Sequence, residues 1–262
     1  MLKSNFKIVL CCLIIFIIVS TAHISAEQAI RIMAAASLQE PLNEIKEDFE
    51  LQNEKYELEI NYAGSQALFT QIKLGVNFDL FLSANQRYLE QLKNESLITN
   101  SNIFAKNKLI IIINSNKDRV DNLEELICND YTLLIGDESV PVGDYTVEMI
   151  NNYLNLILDK EKRKKLRNNF NSAVVSREFD VKSVLNKVKI GAAEAGIVYL
   201  SDYNQDKILH KVRIPAEYNV KASYYMGLSQ HPKPGAVKFY NYILSTAAQK
   251  VFIKYNFQAG EK

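Results

Sequence analysis

The apolar residues of this chain switch between a spacing of two and a spacing of three or four, and that alternation restricts it to folds in which strands and helices take turns. Residues 29–36 begin as a strand through Ile30, Ile32 and Met33, and helical spacing sets in at Ser37 with Leu38, Leu42, Ile45 and Phe49. Residues 56–62 alternate, with Tyr56, Leu58, Ile60 and Tyr62 on one side and Glu57, Glu59 and Asn61 on the other. Leu68 and Ile72 restore the helical spacing after Gly64-Ser65, and Gly75 supplies a stop. The rhythm continues with strands over 79–83, 109–113, 133–136, 196–199 and 223–229, and helices over 88–93, 147–158, 181–189 and 236–255. Such a pattern predicts an α/β protein whose sheets are parallel and covered on both faces. The Lys- and Arg-dense run 160–169 reads as a solvated helix end and loop.

Ahead of this pattern, Lys3 and Lys7 introduce an apolar run over 8–19, and small and polar residues close it at Ser25-Ala26. That order predicts a secretory leader, 1-26, removed on export to the periplasm. The run is shorter than the roughly 18 to 20 residues that cross a bilayer, a retained anchor being the alternative. Cys11 and Cys12 lie inside the run behind Val9 and Leu10, which are not the small pair of a lipoprotein cleavage site, so they read as hydrophobic filler. Cys128 then stands alone, and stability has to come from the core rather than from a disulfide. Without Lys3 and Lys7 the 31 basic residues become 29 against 30 acidic ones, so the exported chain has a formal charge of −1 and lacks the basic footprint of a nucleic-acid binder.

The positions suited to chemistry sit where strands give way to helices. Ser37 and Glu40 have the spacing of a capping box, with Pro41 tolerated in the first turn. Gly64-Ser65 and Asp180-Val181 repeat the strand-to-helix junction. Helix starts in an alternating fold tend to gather at the carboxyl ends of strands, and each offers N–H groups and the positive end of a dipole. Together they describe an anion socket. Two rivals are weaker. A ferric-iron site would draw on Tyr224, Tyr225 and His231, although adjacent strand residues point to opposite faces. A hydrolase would need a motif that the chain lacks: its histidines, His23, His210 and His231, have no metal-pair spacing, there is no Gly-x-Ser-x-Gly, and Cys128 reads as a buried helix residue.

A set of segments in fixed order carries a resemblance: 34–38 (Ala-Ala-Ala-Ser-Leu), 63–65 (Ala-Gly-Ser), 78–84, 104–109, 140–143 (Val-Pro-Val-Gly), Asp180-Val181 and 196–202 (Gly-Ile-Val-Tyr-Leu-Ser-Asp). In this order the chain resembles the periplasmic molybdate-binding proteins of ABC importers. The resemblance implies a two-lobed periplasmic-binding-protein (type II) fold, each lobe a central sheet flanked by helices, with lobe 1 from 27-108 plus 224-262 and lobe 2 from 109-223. It also implies a ligand, molybdate or tungstate, in the cleft between the lobes, no catalysis and no cofactor. The site residues it implies are Ser37 and Ser65 through hydroxyl and amide, Val142 and Val181 through their amides, and Tyr199 through its phenol. Val142 stands where the family usually has Ala, and Asp144 is expected to face solvent rather than the anion. The implied partners are a membrane permease and its cytoplasmic ATPase, served by a monomer. A sulfate-like oxyanion is the alternative guest.

Overall fold

The computed structural model describes residues 28–117, 120–203 and 207–260, so the expected leader 1-26, with Cys11 and Cys12, lies outside the described residues. In the first half, β1 (Gln28–Ala35) enters a 3-10 turn (Ala36–Leu38), followed by α1 (Gln39–Gln52), β2 (Tyr56–Ala63), α2 (Ser65–Lys73), β3 (Leu80–Ser83), α3 (Gln86–Asn94) and β4 (Ile98–Asn107). The chain crosses over at Lys108 into β5 (Leu109–Asn114), α4 (Leu123–Cys128), β6 (Leu133–Gly136), α5 (Pro141–Asn155), α6 (Lys160–Ala173), β7 (Val174–Glu178), α7 (Val181–Lys189), β8 (Ala195–Tyr199) and β9 (Leu209–Arg213). It returns through residues 214–221 to β10 (Ala222–Ser229), α8 (Pro234–Ile243), α9 (Thr246–Lys254) and β11 (Gln258–Ala259).

Among the described residues these strands form two sheets, one of six strands ordered β11-β4-β10-β3-β1-β2 and one of five ordered β7-β6-β8-β5-β9. The α/β class and the two-lobed arrangement are as expected, but the sheets are mixed rather than parallel. β1 runs parallel to β2 and β3, whereas β10 runs antiparallel to β3 and β4, and β5 antiparallel to β8 and β9. The reason is the double crossing: strands that carry the chain between lobes enter each sheet against the direction set by its βαβ units.

Several local expectations also shift. Strand β4 was hidden because Thr99, Asn100, Ser101 and Asn102 give it no apolar run, yet it lies between β10 and β11. The basic run is part of a complete helix, α6, capped by Asp159 and held to the core by Leu166, Phe170 and Ala173. The closing helix is two helices, because the Ser245 hydroxyl accepts from the Ala248 amide and starts a new one. Cys128 is exposed at the end of α4 rather than buried. The wholly buried strand β5, with Ile110, Ile111, Ile112 and Ile113, belongs to a hydrophobic cluster that continues through both lobes. A second cluster, including Met33, Leu68, Phe81 and Leu92, lies under α2 and α3 on the other face of the larger sheet.

One side chain fastens the two crossings to each other. Asn219 accepts from the Leu109 amide at 3.1 Å, donates to the Leu109 carbonyl at 2.9 Å and also donates to the Ile214 carbonyl at 3.2 Å. It therefore acts as a strand partner where no strand runs. Asn219→Ala leaves these buried backbone groups unmet and is expected to cost about 2 to 4 kcal/mol. Urea denaturation reads this as a lower midpoint at unchanged slope, and an unchanged midpoint would refute the role.

Candidate functional site

Four strand ends run directly into helix starts, and the starts meet. β1 passes into the 3-10 turn at Ala36, β2 into α2 through Gly64, β6 towards α5 through Val140 and Pro141, and β7 into α7 through Asp180. A helix leaves the N–H groups of its first turn without intrahelical partners, so each start presents donors at the positive end of a dipole. From the six-stranded side Ala35, Ala36, Ser37, Gly64, Ser65 and Ala84 line one cavity; Val140, Pro141, Val142, Asp180, Val181 and Tyr199 close it from the five-stranded side. All five expected positions, Ser37, Ser65, Val142, Val181 and Tyr199, are therefore brought together. The room open to the centres of water-sized atoms is about 20 Å³.

The hydroxyl groups face this space as donors. Ser65 Oγ accepts from the Ala84 amide at 3.1 Å, which leaves its own proton for the cavity. The Tyr199 hydroxyl is buried and has no hydrogen-bond partner. Burial, with Tyr224, Tyr145 and nearby carboxylates adding to it, lifts the Tyr199 phenol well above its ordinary pKa, so it keeps its proton.

The carboxylates of the cleft are engaged elsewhere. Asp180 accepts from the Ser183 amide at 2.8 Å and from the Ser183 hydroxyl at 2.7 Å, on its own helix. Asp144 is exposed as expected and lies 3.9 Å from Arg87 of the opposite lobe. Lys182 bridges the lobes, 2.7 Å from Glu40 and 3.1 Å from Asp202. Burial works against the Lys182 ammonium, but Asp202 and Glu40 outweigh it and raise its pKa. Burial pushes the Asp202 carboxyl upward while Lys182 pulls it back.

Two sequence expectations need correction. The Ser37–Glu40 capping box does not form, because a 3-10 turn delays the α-helix until Gln39 and no side chain caps it. Ser37 Oγ instead lies 2.9 Å from the Tyr224 hydroxyl, and Glu40 is taken by Lys182. The helix expected over 147–158 starts at Pro141, which puts Val142 in its first turn. Proline in that first position is the signal that apolar spacing alone overlooked. The residues offered for iron point apart: Tyr224 packs its ring against Phe104, Tyr199 and Phe257, while Tyr225 reaches Gln86 at 3.2 Å and His231 is exposed.

The two lobes touch across the cleft. Gln66 Nε2 donates to the Phe179 carbonyl at 2.6 Å, Arg87 Nη2 to the Ser139 carbonyl at 3.1 Å, and the Tyr88 hydroxyl to the same Ser139 oxygen. Gly64, which apolar spacing marked as a junction only, sits where the lobes come close. A Cβ there would lie 2.5 Å from the Phe179 carbonyl oxygen.

Residues 30–258 match the family of bacterial extracellular solute-binding proteins. A Bacillus subtilis protein that carries the name of an ABC transporter substrate-binding lipoprotein, YvgL, is 32% identical over 235 residues, 87% of this chain and 85% of that protein. The molybdate-binding protein ModA of Haemophilus influenzae is 28% identical over 246 residues, 90% of this chain and 92% of its own length. Among solved structures, a substrate-binding domain attributed to a molybdenum ABC transporter of Clostridium difficile superposes with a TM-score of 0.67 at 28% identity, covering 89% of this chain and 99% of that one.

Gly64 tests the closed arrangement, since its φ of −58° suits alanine and the methyl group would meet the Phe179 carbonyl of the other lobe, besides the Gln66 side chain, which can turn aside. Gly64→Ala is expected to fold normally and hold the cleft ajar, giving a larger radius of gyration in small-angle scattering. An unchanged radius would show that this contact does not limit closure.

Proposed function

The chain belongs to the bacterial extracellular solute-binding protein family through residues 30–258, and from that premise we propose that it captures molybdate, with tungstate as an equivalent guest, and delivers it to an ABC importer. The observation that carries the reading is a cavity lined by donors and no cationic side chain: Ser37, Ser65, Val142 and Val181 at helix starts, and the unpartnered Tyr199 hydroxyl. The molybdate-binding name of the Haemophilus influenzae relative supports the same class.

The chemistry favours a doubly charged, proton-free guest. Taking such an anion out of water costs tens of kcal/mol by a Born estimate unless its oxygens are well hydrogen-bonded. Charge-assisted bonds of about 1.5 to 3 kcal/mol each offset that cost, and donors fixed by folded helices need little reordering. Hydrogen phosphate carries a proton that seeks an acceptor, whereas molybdate, tungstate and sulfate carry none at neutral pH. Sulfate is then separated by fit, its bonds being shorter than metal–oxygen bonds.

In this reading the leader 1-26 directs export to the periplasm, and lobe 1 (27-108 plus 224-262) and lobe 2 (109-223) shut on the anion. A monomer in the closed, loaded form meets the permease and its ATPase. The protein acts without chemistry on its guest. Calorimetry with molybdate, tungstate, sulfate, hydrogen phosphate and ferric citrate tests this, with a binding free energy of about −8 kcal/mol or better expected for the first two. Ser37→Ala, Ser65→Ala and Tyr199→Phe should each lose about 1 to 3 kcal/mol of that value. No heat with molybdate, or tighter binding of phosphate or ferric citrate, would discard the reading.

A further inference from the structure

The Ser37 hydroxyl has one proton, and whether that proton points into the cavity is decided by residues behind it. A backbone N–H can only donate, and the Lys108 amide donates to Asn107 Oδ1 at 2.9 Å. That contact fixes the orientation of the Asn107 amide, so its nitrogen faces the other way with two protons to give. One goes to Ser201 Oγ at 2.8 Å, and Asn107 also acts on the Tyr224 phenol, pulling down a pKa that burial raises. Tyr224 is fully buried, and among the described residues its hydroxyl lies within hydrogen-bond distance of one oxygen, that of Ser37 at 2.9 Å. A buried phenol left without an acceptor is costly, so its proton goes to Ser37 and the Ser37 proton is left for the cavity.

We propose that Tyr224 is a positioning residue that locks Ser37 as a donor, and that this lock makes the cavity refuse any oxyanion still carrying a proton. The inference rests on reading the cavity as an oxyanion site. It assigns the refusal to a hydrogen bond whose donor, Tyr224, lies outside the cavity lining. Without the Tyr224 proton, Ser37 is free to rotate and offer a lone pair, which is what hydrogen phosphate needs.

The test compares molybdate and hydrogen phosphate in mildly alkaline buffer, where both are doubly charged, by calorimetry and competition on the wild-type chain, Tyr224→Phe and Asn107→Asp. Tyr224→Phe retains the ring and should weaken molybdate about tenfold, the loss of one hydrogen bond, while phosphate binding strengthens into the detectable millimolar range. The carboxylate introduced by Asn107→Asp, a neighbour of the phenol, draws the Tyr224 proton away from Ser37, so the molybdate-to-phosphate ratio should contract at least as far. Its added charge repels both dianions alike and cancels in the ratio. Melting curves without ligand identify a variant that fails to fold, in which case the other one decides. A ratio that stays at the wild-type value, or phosphate binding that remains undetectable at millimolar concentration in the folded variants, overturns the proposal. A wild-type chain that binds neither anion overturns the oxyanion reading itself.

Discussion

The N–H groups at the start of a helix have no partner inside the helix, and among the described residues three of the helix starts at the cavity have no side chain that caps them. Ordinary helices settle the matter with a serine or aspartate cap. Here Gly64, Val140 and Leu38 precede their helices without a side-chain cap, and Asp180, which does cap, takes only the Ser183 amide in the third position. Pro141 removes a donor that a cap would otherwise have to satisfy. Two lobes then share the expense of keeping polar groups waiting around one small cavity.

Negative charge is kept near the site but turned from it. Asp180 is part of the lining, Glu40 and Asp202 lie three residues from Ser37 and Tyr199, and each of the three finds a donor on the protein. Lys182 matters here because it follows Val181 directly yet spends its charge on Glu40 and Asp202 rather than on the space beside it. The local balance stays close to neutral without a cation in the cavity lining. In the proposed reading a lining without a cation holds a dianion through dipoles, which demand shape and direction in a way that a bare ammonium would not.

How much of this could be read from residue order depends on which physical signal each part leaves. Helix α7 came out residue for residue, because Asp180 starts it and Val181, Val184, Leu185 and Val188 bury one face. The convergence at Ser37, Ser65 and Val181 was legible from repeated strand-to-helix junctions. The antiparallel strands were not, since direction in a sheet depends on where the chain crosses between lobes and no residue spacing records that. Strand β4 was silent because its middle is polar. The hydrogen bond behind Ser37 joins it to Tyr224, far away in the chain, so sequence alone left Tyr224 as a packing residue or a metal ligand. Glu40 misled for the opposite reason: its spacing from Ser37 was right for a cap, but a partner from the other lobe held more for it.

The fastening of Leu109 by Asn219 has a mechanical consequence. With both crossings tied together, a swing of one lobe displaces each atom in proportion to its lever arm from that seam. Tyr199 pairs with Leu109 in the sheet and Tyr224 lies two residues into the returning strand, so the phenol and the serine beside it ride close to the axis. Gly64 and the Phe179 carbonyl meet away from the seam, where the arc is longest. One side of the recess therefore keeps its shape through the whole stroke, and the far lip arrives last.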